Sequence, residues 1–310
     1  MGWLDGLFIG ASNAILVIDP STTRRIPKTA RVLVSHAHGD HTGGFRYKGL
    51  KQSTPQTRDI HHSLHNHRIA NFRGLGINDH FVVDDIRVKA LDAGHMLGSA
   101  QFLIETPNKS ILYTGDINCI DTLTTKAAEP EHCDILVVEA TYGSPYYHFP
   151  TRETVYAAGK AQEVVRLFNV YTHLPVIVNP RLDGVNETYH KSGVHLDWFS
   201  SDSRDGKMIL DKDPCVYLTT PTDRTHIGRR FSRAYATGWA LSLGGRVTAF
   251  PLSSHADFDQ LISFVKACDP DKVYIFTGFA EDLRRALGSM LGLDARAVPS
   301  YLQRTLAEDY

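Results

Sequence analysis

The stretch SHAHGDHTGG, residues 35–44, places His36, His38, Asp40 and His41 within six consecutive positions. Imidazole nitrogens and carboxylate oxygens at this density are the donors of a zinc-type site, where neutral imidazole reaches the ion at about 2.0–2.1 Å and a carboxylate adds a hard oxygen. His36 and His38 are two apart, so an extended or tightly turned backbone aims both rings at one ion, while Asp40 and His41 reach a neighbouring position. Two further candidates lie downstream, His95 in DAGHMLGSA and Asp116 in YTGDIN. The combined inventory suits one or two zinc ions with Asp116 as a bridge, and metals about 3.5–4 Å apart are a recurrent device for hydrolysing phosphate esters. A lone histidine at a strand end is ordinarily structural. This many donors in this pattern point to a metal site.

Each cluster follows a short apolar run of strand length, and loops at strand ends are held by a rigid scaffold. Such runs are Ala14–Ile18, Val32–Val34, Phe81–Val83, Phe102–Ile104, Ile111–Tyr113 and Ile135–Val138, so short strands dominate the first half. A helix is expected after Thr54-Pro55, carrying the cluster His61 to His67. Another is expected from Thr151, where Thr-Arg-Glu-Thr reads as an N-terminal signal, to Phe168. Strands are then expected at Val176–Val178, Val216–Leu218, Val247–Phe250 and Val273–Phe276, with helices at Phe258–Ala267 and Glu281–Leu291. The polar run 183–215, rich in Asp, Ser and Gly, has no assigned element.

With 310 residues, 42% of them hydrophobic, the chain can fill one large core or two modest ones. Lys+Arg 33 against Asp+Glu 34 gives a formal charge of −1, so any nucleic-acid surface must be a local patch. Cys119, Cys133, Cys215 and Cys268 form no CxxC pair, which argues against a thiolate zinc site and a disulfide framework and favours free thiols in a reducing cytoplasm. No secretion signal and no membrane span is expected.

The motifs SHAHGDH, GHMLGS and TGD resemble the ligand motifs of the metallo-β-lactamase superfamily, which implies an α/β fold, a four-layer αββα sandwich with metals at the sheet edge. The oxidoreductase branch typically carries Glu where this chain has His38, which favours zinc hydrolysis. VVEATYGSPYYHFPTRETV resembles the segment with which β-CASP nucleases begin their inserted domain, placing Glu139 at the acidic position. ATGWALSLGG, FPLSSHADFDQLISFV and DKVYIFTG resemble the closing segments of Artemis-like DNA repair nucleases and, better, of ligase-associated DNA exonucleases, as does AAGKAQEVV. The resemblance implies a metallo-β-lactamase domain in two parts, 1–145 and 246–310, around a short β-CASP-like insertion, 146–245.

On this reading the chain is a zinc-dependent nuclease, a DNA exonuclease of repair or end processing. His36, His38, His95 and Asp116 hold the first zinc; Asp40, His41 and the shared Asp116 form the second position. Asp40, His255 and Glu139 are the catalytic candidates, His255 as general acid with Glu139 keeping it protonated. The chain departs from the pattern at Thr277, where related enzymes place a histidine serving the second zinc, so one tightly held zinc and a weak or empty second position are expected. Arg224, Arg229, Arg230 and Arg233, interleaved with Phe231 and Tyr235, form a candidate strand-binding patch, and Lys160 a candidate phosphate contact. Asp19 is expected to orient a metal-loop group, Trp239 in Thr237-Gly238-Trp239 to pack near the catalytic face, and His61 and His65 to lie on a solvated helix face. Nucleic acid is the expected partner, DNA before RNA, with a DNA ligase or helicase alongside. The rival readings are an RNA-processing nuclease, a promiscuous lactam, lactone or thioester hydrolase, and a noncatalytic scaffold.

Overall fold

The structure is a computed structural model, described here for residues 1–3, 5–11, 13–149, 160–219, 231–242 and 248–298. The first sheet runs in chain order: β1 (Gly2–Trp3), β2 (Leu7–Ala11), β3 (Ala14–Ile18), β4 (Arg31–Leu33), β5 (Lys51–Ser53) and β6 (Phe72–Gly74). Its first three strands are antiparallel and β3 to β6 are parallel. The second sheet comprises β7 (His80–Val83), β8 (Ile86–Asp92), β9 (Ala100–Glu105), β10 (Ser110–Tyr113), β11 (Ile135–Glu139), β17 (Lys272–Phe276) and β18 (Asp294–Ala297), in the order β18-β17-β11-β10-β9-β8-β7.

Strand periodicity of two sorts the core into layers. Leu16 and Ile18 of β3 face the second sheet and meet Phe102, Ile111, Tyr113, Val137 and Phe276, while Val17 turns the other way to Val32 and Tyr47. On the far side of the second sheet, Leu112, Leu136, Val138, Val273 and Ile275 pack against α5 (Phe258–Cys268) and α6 (Ala280–Leu291) through Phe258, Leu261, Phe264, Leu283 and Leu287. The mixed α/β sandwich expected from the sequence is therefore present. Burial on both faces explains why β3, AILVI, reads as a continuous apolar run with no alternation.

A smaller parallel sheet joins β12 (Val176–Val178) to β13 (Phe199–Ser200) and β14 (Val216–Leu218), with α2 (Lys160–Tyr171) and α3 (Pro180–Lys191) packed on it through Val165, Val185 and Tyr189. β15 (Tyr235–Ala236) and β16 (Ala249–Phe250) form a short parallel pair. The polar run left unassigned over 183–215 holds most of α3 and all of α4 (Arg204–Lys212). Its polar residues are helix punctuation: the Asn179 side chain accepts from the Leu182 N–H ahead of Pro180, and that of Ser203 accepts from Gly206 N–H. α1 (Pro55–His65) begins after Thr54, as the sequence indicates, and closes at Asn66 in the left-handed conformation. The helix-start signal at Thr151 lies outside the described residues, and α2 runs to Tyr171, beyond Phe168. Among the described residues no helix is long and apolar enough to cross a membrane.

Phe102 is fully buried between the two sheets, and Phe102→Ala is expected to destabilise the protein by about 3–5 kcal/mol, read from urea unfolding midpoints at constant slope.

Candidate metal centre

Strand direction gathers the site at one edge of the sandwich. β3 and β4 are parallel, β8 and β10 flank the antiparallel β9 and so run the same way, and β11 and β17 continue parallel to β10. The C-terminal ends of these strands deliver, in turn, Asp19, the His36 loop, His95, Asp116, Glu139 and Thr277.

Ligand atoms of His36, His38, His95 and Asp116 all lie within 4.8 Å of one another. His38 Nδ1 is 3.2 Å from His36 Nε2 and 3.0 Å from His95 Nε2, and Asp116 Oδ2 is 3.4 Å and 3.8 Å from those same two nitrogens. A tetrahedron with donors about 2.0–2.1 Å from a central ion has edges of roughly 3.4 Å, so this donor set fits a small divalent cation. The ring orientations are fixed from behind. His95 Nδ1 donates to the Ser254 carbonyl at 2.8 Å, and His36 Nδ1 lies 3.0 Å from Ser35 Oγ, which itself donates to Asp19. Both tautomers thereby leave the Nε2 lone pair facing the cluster. Burial, then the repulsion of His255, His36 and His38, holds His95 well below the ordinary imidazole range, in the neutral form a metal requires.

Asp116 turns its other oxygen to a second set. Oδ1 is 3.5 Å from His41 Nε2, which is 3.6 Å from the half-exposed carboxylate of Asp40. Burial opposes charge on His41, but Asp116, Asp19 and Asp40 outweigh it and raise its pKa to about 10. Asp19, left-handed at φ 46°, accepts from Ser35 N–H (2.7 Å), His41 Nδ1 (2.9 Å) and Tyr113 Oη (2.9 Å), so one carboxylate orients both donor sets. The role of Tyr113 was hidden by its apolar strand context: its ring stacks on Phe276, which stacks on Trp3.

His255 lies beside the cluster, its Nδ1 2.9 Å from Glu139 Oε1 and 4.0 Å from Asp116 Oδ2. Glu139 is fully buried; Oε1 also accepts from Ile117 N–H at 2.9 Å and Oε2 from Thr141 N–H at 3.0 Å. Burial pulls the His255 pKa down, but Glu139 and Asp116 prevail and raise it above the ordinary value. Asp116, Glu139 and His255 also form a triplet within 4.8 Å, but the Glu139 oxygens are already committed to the two amides and His255.

Thr277 follows β17 with φ 59°, a backbone that β-branched residues rarely adopt, and its buried hydroxyl has no hydrogen-bond partner among the described residues. Trp239 packs with Tyr142 and Tyr147, at 5.1 and 5.6 Å between ring centroids, and Tyr142 is 6.0 Å from the His255 ring. Lys160, the first residue of α2, is solvent-accessible yet close enough to lower the His255 pKa by its charge. Arg233 is exposed, whereas Arg224, Arg229 and Arg230 lie outside the described residues. The solvated face expected for His61 is corrected: its ring is buried against Phe45 of the turn Thr42–Arg46, at 4.8 Å between centroids, and its Nδ1 has no partner among the described residues. His65 is exposed as expected.

Residues 8–173 match the family described as a beta-lactamase superfamily domain. The chain is 28% identical to a probable DNA ligase of Opitutus terrae over 86% of its own length, spanning 28% of that protein. It is 25% identical to an RNase J-like protein of Methanocaldococcus jannaschii, with 80% of this chain and 81% of that one covered. A solved structure of a protein of unknown function from Enterococcus faecalis V583 matches at TM-score 0.60 and 15% identity, covering 94% of both chains, which shows the shared fold.

Asp19→Asn removes charge behind both donor sets and is expected to weaken metal binding about 10–100-fold with the fold retained, checked by chelator competition and circular dichroism. The family match, the sandwich and the donor cluster at its edge lead to one conclusion: the chain belongs to the metallo-β-lactamase superfamily.

Proposed function

We propose that the chain is a zinc-dependent nuclease that hydrolyses phosphodiester bonds in DNA, acting as an exonuclease in repair or end processing. The observation that carries this reading is the His255–Glu139 pair, 2.9 Å apart and adjoining the shared carboxylate of Asp116. A phosphodiester expels an alkoxide that must be protonated, and a histidine whose pKa is raised by a buried carboxylate is suited to that task. The DNA preference is supported by the likeness to a probable DNA ligase, and a ligase is the partner it suggests; the RNase J-like relative supports RNA as the second reading.

His36, His38, His95 and Asp116 would hold a tight zinc, and Asp40, His41 and Asp116 a weaker second ion. Thr277 weakens that second position, offering a hydroxyl where an imidazole would bind better. Bound zinc supplies Lewis acidity toward water and the scissile phosphate. His255 gives its proton to the departing oxygen, and Glu139 holds the imidazole in orientation and charge. Lys160, near His255, and Arg233, on the exposed stretch before β15, would meet the phosphate backbone. Residues 146–245 would form the insertion that caps the cleft, with Arg224, Arg229 and Arg230 assigned to strand binding.

His255→Ala is expected to lower kcat on an end-labelled DNA strand by about 10²–10⁴ with zinc content unchanged. Because Glu139 raises the His255 pKa, activity that needs the imidazolium falls as pH rises through that pKa. Glu139→Gln should move the basic limb of the pH–rate profile to lower pH. Elemental analysis of protein purified without chelator should give one zinc per chain; two tightly held ions, or an unchanged rate in His255→Ala, would overturn the assignment. Side-by-side turnover of DNA, RNA and a chromogenic lactam decides the substrate class.

A further inference from the structure

The end of the turn Thr42–Arg46, β5 and the segment before β6 line an open cavity of about 440 Å³. Arg46, Lys48, Lys51, His67 and Arg68 line it, together with Asn71, and among the described residues no carboxylate does. Among the described residues, Lys48, Lys51 and Arg68 make no ion pair. Lys51 is 1% exposed, and the partner of its ammonium is the Ala70 carbonyl, at 2.5 Å. An ammonium has three donors and is expensive to bury without a counter-charge. The frame is rigid: Asn71 Nδ2 donates to the Lys48 carbonyl at 2.8 Å, and Lys51 N–H donates to the Asn71 carbonyl at 3.1 Å. A buried, uncompensated cation in a cradle of basic side chains is built to receive an anion with several acceptor oxygens.

We propose that this cavity binds a phosphate group, supplied by a polynucleotide strand that extends from the metal centre; the strand as source rests on the nuclease reading above. The turn Thr42–Arg46 starts after His41 and ends at Arg46, so it links the two sites directly. At about 2.0 Å of rise per residue it spans roughly 10 Å, the length of about three nucleotides stacked at 3.4 Å each.

The test compares wild type with Lys48→Ala/Arg68→Ala, whose side chains are exposed, and with Lys51→Met, which keeps the packing and removes the charge. Inorganic phosphate should raise the wild-type melting temperature in a saturable way and leave the double variant unmoved. A ten-nucleotide strand with a hydrolysis-resistant phosphorothioate backbone should bind the double variant about tenfold more weakly at low salt, with a log–log salt slope shallower by about 1.4 for two lost contacts. Metal-dependent hydrolysis of a dinucleotide, too short to span both sites, should be equal in all three proteins. Phosphate binding with unchanged strand affinity would identify free phosphate as the occupant and overturn the strand as source. Absence of both effects would reject the anion site. Anion binding in a wild type that hydrolyses no dinucleotide would leave the cavity standing and remove the nuclease reading instead.

Discussion

Asp116 faces two ways. Its Oδ2 completes a cluster with three imidazoles, its Oδ1 meets His41, and the carboxylate behind both, Asp19, is itself shared between Ser35, His41 and Tyr113. Donors brought this close repel one another unless a proton or a cation lies among them. The carboxylates raise the pKa values of His41 and His255, while burial lowers that of His95. A divalent ion replaces that compromise with direct coordination. The surrounding architecture can be understood as the apparatus that holds these side chains together despite their repulsion.

That apparatus is strand polarity. The donors come from β3, β4, β8, β10, β11 and β17, which share one direction closely enough that their C-terminal ends lie along one edge. The loop before α5 closes the arrangement: Ser254 accepts from His95, and Ala256 N–H donates to the Ile117 carbonyl at 2.7 Å. A capping box between Asp257 and Gln260 then starts α5. His255 is thus held between the metal loops and a helix N-terminus, so its position is set by backbone on both sides.

Much of this was legible in the sequence because it rests on short-range patterns. The spacing of His36, His38, Asp40 and His41, and the placement of Asp116 just after an apolar run, needed no knowledge of tertiary contacts. β3, β12 and β14 matched their expected bounds for the same reason. What stayed hidden depends on partners remote in sequence. Asn179 and Ser203 read as loop residues because the same polar side chains serve turns and helix N-caps. His61 read as solvated because its helix gives no sign that Phe45 covers it. Tyr113 sits in an apolar strand, and nothing local reveals that its hydroxyl reaches a carboxylate 94 residues earlier. The basic cavity is built from two separated segments that only the pairing of β5 with β6 brings together.

The stack from Trp3 through Phe276 to Tyr113 and on to Asp19 joins the middle of the sandwich to its reactive rim. Seating an ion therefore tightens the same residues that clamp the two sheets face to face, and part of its affinity is conformational stability under another name. Loss of the ion should loosen the interior as well as the loops, so apoprotein would be more vulnerable to proteases at sites far from the rim.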